Sequence, residues 1–385
     1  MTAKLVADRT EDLLRTHPPG TTGRHAFLTA QYEAGLAWVH FPEGLGGLGM
    51  ARALQREVDT RLAAAGAPDG ASANRLGYSM GAAVLLAYGT REQQERFLRP
   101  IFTGDERWCQ LFSEPGAGSD LASVTTRAVR SGDEWVVNGQ KVWSSMANIS
   151  AVGMLLARTD PDAPKHHGLT YFLVDMRSPG VDVRPLRQMT GEAEFNEVYL
   201  TDVRIPDSAR IGPVSAGWQV ALATLMNERV LFNRERPEKG PVDEALDLYR
   251  QRAVPDPELR TRMIDLWIRA RVQRLGTARA AANLAAGTPG PEGSTGKLAY
   301  THLIQEAYEL CLDLLGDESM LYDSYAMTAY SEETFAGRVE HDVRRRFLRS
   351  RATTIEGGTS EILRTILAER TLGLPRASHP PRTNR

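Results

Sequence analysis

Two segments of this chain gather the residue types that bind anions and planar rings. Residues 108–120 read WCQLFSEPGAGSD. Glycines at 116 and 118 make a loop whose amides can approach an anion or a flat ring closely, and Ser113 and Ser119 add hydroxyls. Taken alone, this is equally a glycine-rich connection into the next domain. A second segment, Lys141-Val142-Trp143-Ser144-Ser145, places an indole and hydroxyls just past a strand-like run. The agreement of the two points to a shared ligand site.

Other constellations carry less. Residues 44–49 (GLGGLG) match the glycine pattern of dinucleotide folds and follow a short strand-like run, 37–41. That reading needs a second buried parallel strand ending near an acidic residue. The chain supplies a loop instead, so a tight glycine turn between helices is expected. His166-His167 sit in a Pro/Asp/Lys loop without a carboxylate or cysteine cluster at ligand spacing, and no metal is expected. Arg344, Arg345, Arg346, Arg349 and Arg351 form a basic cluster, either a solvated helix face or a surface for phosphates. No G-x-S-x-G elbow or P-loop occurs. The serines near Asp120 lack an evident histidine, which argues against a Ser-His-Asp hydrolase.

The elements that must position the two segments follow from periodicity. Residues 51–65 have helical spacing, and 81–88 form a compact apolar helix. Thr90 to Gln93 fits a capping box, opening a helix expected to stop at Arg99, before Pro100. From Trp108 the character turns to strands. Asn138-Gly139, between two strand-like runs in 134–143, predicts a hairpin with a type I′ turn. Further strands are expected at 152–158, 170–176 and 196–205, giving an all-β domain over about 107–212. Long helices return at 216–232, 257–286 and 297–315, with 287–296 as a flexible loop, and a last helix follows Gly358. The net charge of -2 gives no basic field for nucleic acid or anionic lipid. Two cysteines, both in apolar stretches, argue against a disulfide framework and fit a reducing cytoplasm. No apolar run reaches the roughly 20 residues of a membrane span.

The runs FSEPGAGSDLAS (112–123) and NGQKVWSSMAN (138–148) resemble the two flavin-domain signatures of acyl-CoA dehydrogenases. The resemblance continues through PDAPKHHGLTYFLVDM (161–176), GEAEFNEVYLTDVRIP (191–206) and IEGGTSEILRTILAERTLG (355–373). It implies an α+β fold: an N-terminal helical domain (1–106), a middle antiparallel β domain (107–212) and a C-terminal four-helix bundle (213–375), followed by a disordered tail (376–385). It also implies FAD as cofactor. Gln110, Phe112, Ser113, Trp143, Ser144, Ser145 and Thr359 would hold it, with Ser113 bonding the flavin ring, Trp143 packing on the isoalloxazine and Ser145 near N5. Ser119 and Arg229 would contact the acyl-CoA substrate.

Such enzymes remove a proton from the carbon next to the thioester while the neighbouring carbon delivers hydride to flavin N5. A positioned carboxylate must serve as base. Many relatives carry it in a C-terminal Tyr-Glu-Gly-Thr. Here Ile355-Glu356-Gly357-Gly358-Thr359 puts Gly357 at that position, and Glu356 one residue early should point elsewhere. Another branch places the base on the first C-terminal helix, where this chain has Leu225-Met226-Asn227-Glu228-Arg229. Glu228 is therefore the expected base, with Glu356 as the alternative, and the Gly357 amide an oxyanion donor. The usual FAD-reaching Arg-x-x-Phe-Gly…Gln run is replaced by YRQRAVPDPELRTRM (249–263), and Gly-Gly-Asn-Gly by Leu315-Gly316-Asp317. These losses resemble actinobacterial enzymes that oxidise steroid side-chain thioesters as mixed assemblies. They imply a homologous partner chain in an α2β2 tetramer, with a homotetramer or dimer as alternatives, and an electron-transfer flavoprotein as acceptor. The expected reaction, within lipid or steroid metabolism, is dehydrogenation to the trans-2-enoyl-CoA of a bulky, branched or steroid side-chain acyl group. A silent partner subunit, or a flavoenzyme acting on a carrier-protein thioester, stands as the other reading.

Overall fold

A computed structural model describes residues 2–234, 240–251, 256–286, 288, 290–322, 324–329 and 342–375. The chain divides into two compact units, Met1–Glu228 with Ala326–Glu340, and Arg229–Tyr325 with His341–Arg385.

The first unit begins with helices α1 (Thr2–Thr16), α2 (Arg24–Glu33), α3 (Gln55–Ala64), α4 (Ala82–Tyr88) and α5 (Arg91–Thr103). On α1, Val6, Thr10 and Leu13 share one buried stripe. The capping box of α5 is present. The Gln93 amide donates to Thr90 Oγ1 at 3.3 Å, and the Thr90 amide to Gln93 Oε1 at 2.9 Å. The Gln93 side chain also donates to the carbonyls of Ser208 and Arg210, at 2.7 and 3.0 Å. Contrary to the expected stop at Arg99, α5 runs through Pro100 to Thr103. Proline removes only one amide donor there, and the buried Leu98, Ile101 and Phe102 anchor the last turn. Gly104, at φ 85°, ends it. Residues 37–41 form no strand. Turns fold the glycine run instead, a Glu43–Gly47 bridge closes it, and Leu45 and Leu48 point inward.

Strands β1 (Trp108–Leu111), β2 (Arg127–Ser131), β3 (Glu134–Ser145), β4 (Val152–Arg158), β5 (Leu169–Asp175), β6 (Val181–Pro185), β8 (Phe195–Pro206) and β9 (Arg210–Ile211) make one sheet. Its order is β6-β8-β3-β2-β4-β5-β9, with β1 paired to β4. The short β7 (Glu192–Ala193) pairs with Thr328–Ala329. Most ladders are antiparallel, but β1 and β2 meet β4 in parallel. Strands β4 and β5 are covered on both faces, which explains their nearly unbroken apolar sequence. Met154, Leu156, Tyr171 and Leu173 join the core that contains Phe27, Leu85 and Ile101 of the helices. Leu155, Ala157, Phe172 and Val174 face a second core with Val137, Val198 and Val203. Each buried Val, Leu, Ile, Met or Phe among them contributes about 1.5–3 kcal/mol by leaving water.

The hairpin predicted at Asn138-Gly139 is absent, because β3 passes straight through it. The turn falls earlier, at Gly132-Asp133, where Gly132 takes φ 67° between the paired Ser131 and Glu134. At Gly139 the pairing with β8 shifts register, and a Cβ would lie 2.4 Å from Thr126 Oγ1. Asn138 is occupied with Asp202: its Oδ1 accepts from the Asp202 amide at 2.9 Å. The dipeptide thus serves a bulge and a close crossing rather than a turn.

Helix α6 (Gly217–Arg234) follows the sheet. The second unit contains α7 (Pro241–Gln251), α8 (Pro257–Ala285), α9 (Glu292–Leu315), α10 (Val343–Ser350) and α11 (Ser360–Ile366). Leu259, Met263, Leu266 and Ala270 of α8 recur every three or four residues. They meet Leu303, Ala307, Leu310 and Leu314 of α9 in one core with Val242 and Ala245 of α7. Helix α9 begins at Glu292, inside the stretch read as a loop from its glycines. The tail 376–385 lies outside the described residues. Among the described residues no helix is long and apolar enough to cross a membrane.

Candidate flavin site

The two motif segments are joined by a buried ion pair that sequence reasoning missed. Lys141 on β3 has no exposed surface, and Glu114 in the 113–120 loop is 6% exposed. Lys141 Nζ donates to Glu114 Oε1 at 2.8 Å, to the Phe112 carbonyl at 3.0 Å and to the Leu156 carbonyl at 2.8 Å. The Glu114 carboxylate also accepts from the amides of Thr125 (2.7 Å) and Thr126 (2.8 Å) and from Thr125 Oγ1 (2.8 Å). All three ammonium protons are thereby placed, as a desolvated charge requires. Burial pushes the Glu114 carboxyl up, but Lys141 and the donated hydrogen bonds outweigh it and hold the group at about 2. Burial draws Lys141 down to about 8, which leaves it protonated at neutral pH. No sequence signal marks it, because a lysine in the mixed run EWVVNGQKVWSS reads as an ordinary surface charge.

This clamp fixes Phe112 and Ser113 beside β3. Phe112 is buried edge-on to Tyr171, with ring centroids 5.8 Å apart. The Ser113 carbonyl accepts from the Val142 amide at 2.9 Å. One residue on, Trp143 is 61% exposed at φ 61°, while Val142 and Ser144 on either side are buried. A left-handed tryptophan costs about 1–3 kcal/mol, and an exposed indole recovers little of that by burial. Its ring meets Phe195 edge-on at 5.9 Å.

The neighbourhood fits a large planar, polar cofactor. Gln110 Nε2 and Ser144 Oγ are buried without a hydrogen-bond partner. Gly116 and Gly118 have no positive φ, and a Cβ on either would meet nothing within 4 Å. The protein itself gives no reason for glycine at these two positions, whereas close approach by an external group does. Ser119 is exposed and Ser145 half-buried. Asp120 beside them is held by Lys165 Nζ at 2.7 Å and Ser123 Oγ at 2.6 Å.

The remaining candidates other than Glu228 lie in the second unit. Gly357 and Gly358 take φ 62° and 96°. Lys297 Nζ donates to the Glu356 and Gly358 carbonyls on either side of Gly357. The Glu356 carboxylate accepts both Arg349 guanidinium nitrogens, at 3.0 and 3.2 Å, so it is engaged in an ion pair. Thr359 Oγ1 caps α11, accepting from the Ile362 amide at 3.2 Å, which leaves its hydroxyl proton to be donated. Glu228 lies on α6, but its side chain and that of Arg229 are outside the described residues. The basic cluster is not a free phosphate surface. Arg344 pairs with Asp342, Arg346 with Glu244 and Arg351 with Glu309.

Other features lack the chemistry. His166 is exposed and its ring lies 4.8 Å from that of Trp218. No group of three metal-ligating side chains occurs among the described residues. Both thiols are buried and pushed up to about 12, which makes them poor nucleophiles. A cleft of about 570 Å³ between the N-terminal helices, lined by Arg9, Tyr32, Glu33 and Arg99, contains neither motif segment. Its arginines are committed, Arg99 to Glu33 at 2.9 Å and Arg9 to the Ala34 carbonyl at 3.1 Å.

Comparison with known proteins identifies the family. Residues 2–105, 109–203 and 215–372 match the N-terminal, middle and C-terminal domains of acyl-CoA dehydrogenase. The chain belongs to the acyl-CoA dehydrogenase family, FAD-dependent oxidoreductases acting on acyl-CoA. It is 39% identical to the acyl-CoA dehydrogenase IpdE1 of Mycobacterium tuberculosis, over 89% of this chain and 86% of that one. It is 41% identical to FadE34 of the same organism over 89% of this chain, and the match spans 45% of FadE34's own length. Among solved structures it resembles the ChsE4-ChsE5 complex from Mycobacterium tuberculosis, with 28% identity, a TM-score of 0.69 and 97% of each chain covered.

Proposed function

We propose that the chain catalyses α,β-dehydrogenation of an acyl-CoA thioester to the trans-2-enoyl-CoA. The observation that carries this reading is Trp143, an exposed indole in a costly backbone conformation beside a loop locked by a buried ion pair. The bound FAD would supply a hydride acceptor. The chain's own residues would do the rest. Trp143 would cover one face of the ring system, with Ser113, Ser144, Ser145 and Gln110 offering hydroxyl and amide partners. Phe112 would wall the site and Thr359 would donate its proton. Ser119 and Arg229 would meet the acyl-CoA. Glu228 would take the α-proton, and the Gly357 amide would stabilise the oxygen on which negative charge develops. The engagement of Glu356 by Arg349 supports Glu228 over Glu356 as base.

With no side chain at 357, a bulky, branched or steroid acyl group becomes the preferred substrate class. The boundaries proposed for the helical, β and helical domains are 1–106, 107–212 and 213–375. A homologous partner chain completing an α2β2 assembly is supported by three features. The FAD-reaching run is replaced, and Asp256 within it caps α8, accepting from the Glu258 and Leu259 amides at 2.9 and 3.1 Å. Helix α8 exposes Ile264, Trp267, Ile268, Val272 and Leu275 along one face. One solved structure to which this chain is similar is itself a complex.

The test is anaerobic bleaching of the yellow holoprotein by a panel of acyl-CoA thioesters, with and without co-expressed homologous chains. Glu228→Gln should slow flavin reduction by a factor on the order of 10³, in the range of lost general-base catalysis. Near-normal reduction in this variant would remove Glu228 from the mechanism. Failure of every thioester to bleach a correctly loaded protein would favour the silent-subunit reading.

A further inference from the structure

We propose that Asn196 is the positioning residue that holds Trp143 in its exposed, left-handed conformation; the inference rests on the reading of Trp143 as the flavin-facing ring. Strands β3 and β8 pair Lys141 with Val198 and Ser144 with Asn196. Three steps on β3 therefore match two on β8, so β3 carries one extra residue. That residue breaks the alternation of faces: Lys141 and Val142 are both buried, and Trp143 is turned outward. The bulge also diverts backbone groups from the ladder, since the Val142 amide goes to the Ser113 carbonyl instead.

Asn196 sits opposite the end of the bulge with no exposed surface. Its Nδ2 donates to the Ser144 carbonyl at 3.1 Å and to the Glu194 carbonyl at 3.4 Å. The same Glu194 carbonyl accepts from the Met146 amide at 3.0 Å. Two carbonyls on one side of the amide fix which end is nitrogen. One side chain thus ties both strands together immediately after Trp143. Its neighbour Phe195 supplies the ring that meets the indole edge-on.

A purely stabilising role accounts poorly for this choice of residue. Asn196 Oδ1 is buried without a partner, at a cost of about 1–3 kcal/mol. The amide is retained against that loss, and what it secures is the geometry of the bulge. The strain at Trp143 persists only where its surroundings over-determine it, and Asn196 is the side chain that does so.

The test uses the full-length chain and reads Trp143 by iodide quenching of apo-protein fluorescence, isolated by subtracting the Trp143→Phe background. Asn196→Leu should change the quenching of Trp143 by about twofold or more and weaken FAD binding about tenfold, the scale of one lost buried hydrogen bond. Asn196→Ser, which keeps a donor, should restore much of both. Val203→Ala removes buried volume from the same strand and controls for general loosening. At an equal loss of thermal stability it should leave Trp143 quenching unchanged. If Asn196→Leu does not fold, Asn196→Ala is read in the same way. Quenching unaltered by the Asn196 variant, or altered equally by Val203→Ala, overturns the proposal. Trp143→Ala that still binds FAD normally would instead overturn the reading of the ring on which the proposal rests.

Discussion

The Glu114–Lys141 pair shows how residue-scale electrostatics build this site. Deleting one partner strands the other charge in a dry interior, so Lys141→Ala should lose about 3–5 kcal/mol in chemical denaturation. The double variant Glu114→Gln/Lys141→Met should lose less than the sum of its single changes, because it leaves no lone charge. A double-mutant cycle measures the difference, and strict additivity would contradict the clamp. The pH dependence has a definite sign. The folded carboxyl titrates at about 2, below its ordinary value of 4.5. The folded state therefore binds the proton more weakly than the unfolded chain. This contribution to stability is present above about pH 4.5 and is lost as pH falls toward 2. Glu114→Gln should flatten that part of a stability–pH curve. None of this was legible in the sequence, where a glutamate and a lysine 27 positions apart read as ordinary surface charges. Asn196 was missed for a related reason, because an asparagine in a strand reads as weak propensity rather than as a brace.

At the scale of elements, the order helical, β, helical was legible because it rests on periodicity, and β4 was placed at its observed bounds. The errors occurred where tertiary contacts overrode local preference. Asn138-Gly139 has the chemistry of a turn, but Asp202 claims the asparagine and Thr126 leaves no room for a side chain at 139. Pro100 should have ended α5, yet packing carried the helix one turn further. Glycine and proline signals misplaced the start of α9 in the same way. The motif residues at 112–119 and 141–145 were correctly seen as neighbours, while the bulge that exposes Trp143 has no signature in composition. It is an irregularity held against local preference, and its proposed role at the flavin sets a test. Trp143→Gly removes a left-handed non-glycine residue and a mostly exposed ring. Thermal unfolding should show no loss of stability, with a gain of up to about 1–3 kcal/mol. FAD affinity should fall at least about tenfold, as expected when a stacking surface is removed. A clear drop in melting temperature would mean that the ring itself supports the strand.

For the molecule as a whole, the apolar face of α8 is the feature least compatible with life alone in water. Val272 is 63% and Leu275 72% exposed, on the same face as Trp267 and Ile268. Leu275→Glu should lower the assembly state in analytical ultracentrifugation while far-UV circular dichroism stays unchanged, because a buried carboxylate at an interface costs several kcal/mol. An unaltered sedimentation coefficient would show that this face is not where a partner sits.

The shared core of the first unit carries a further consequence. Met154, Leu156, Tyr171 and Leu173 bury one face of the sheet against Phe27, Leu85 and Ile101, which arrive much earlier in the chain. The helices cover that sheet, and without them it would present a wide greasy surface with nothing over it. During synthesis, residues 1–106 leave the ribosome before that surface exists and must wait for it. The β portion cut out on its own would therefore clump rather than fold, and the helices with the sheet should melt together as a single cooperative body.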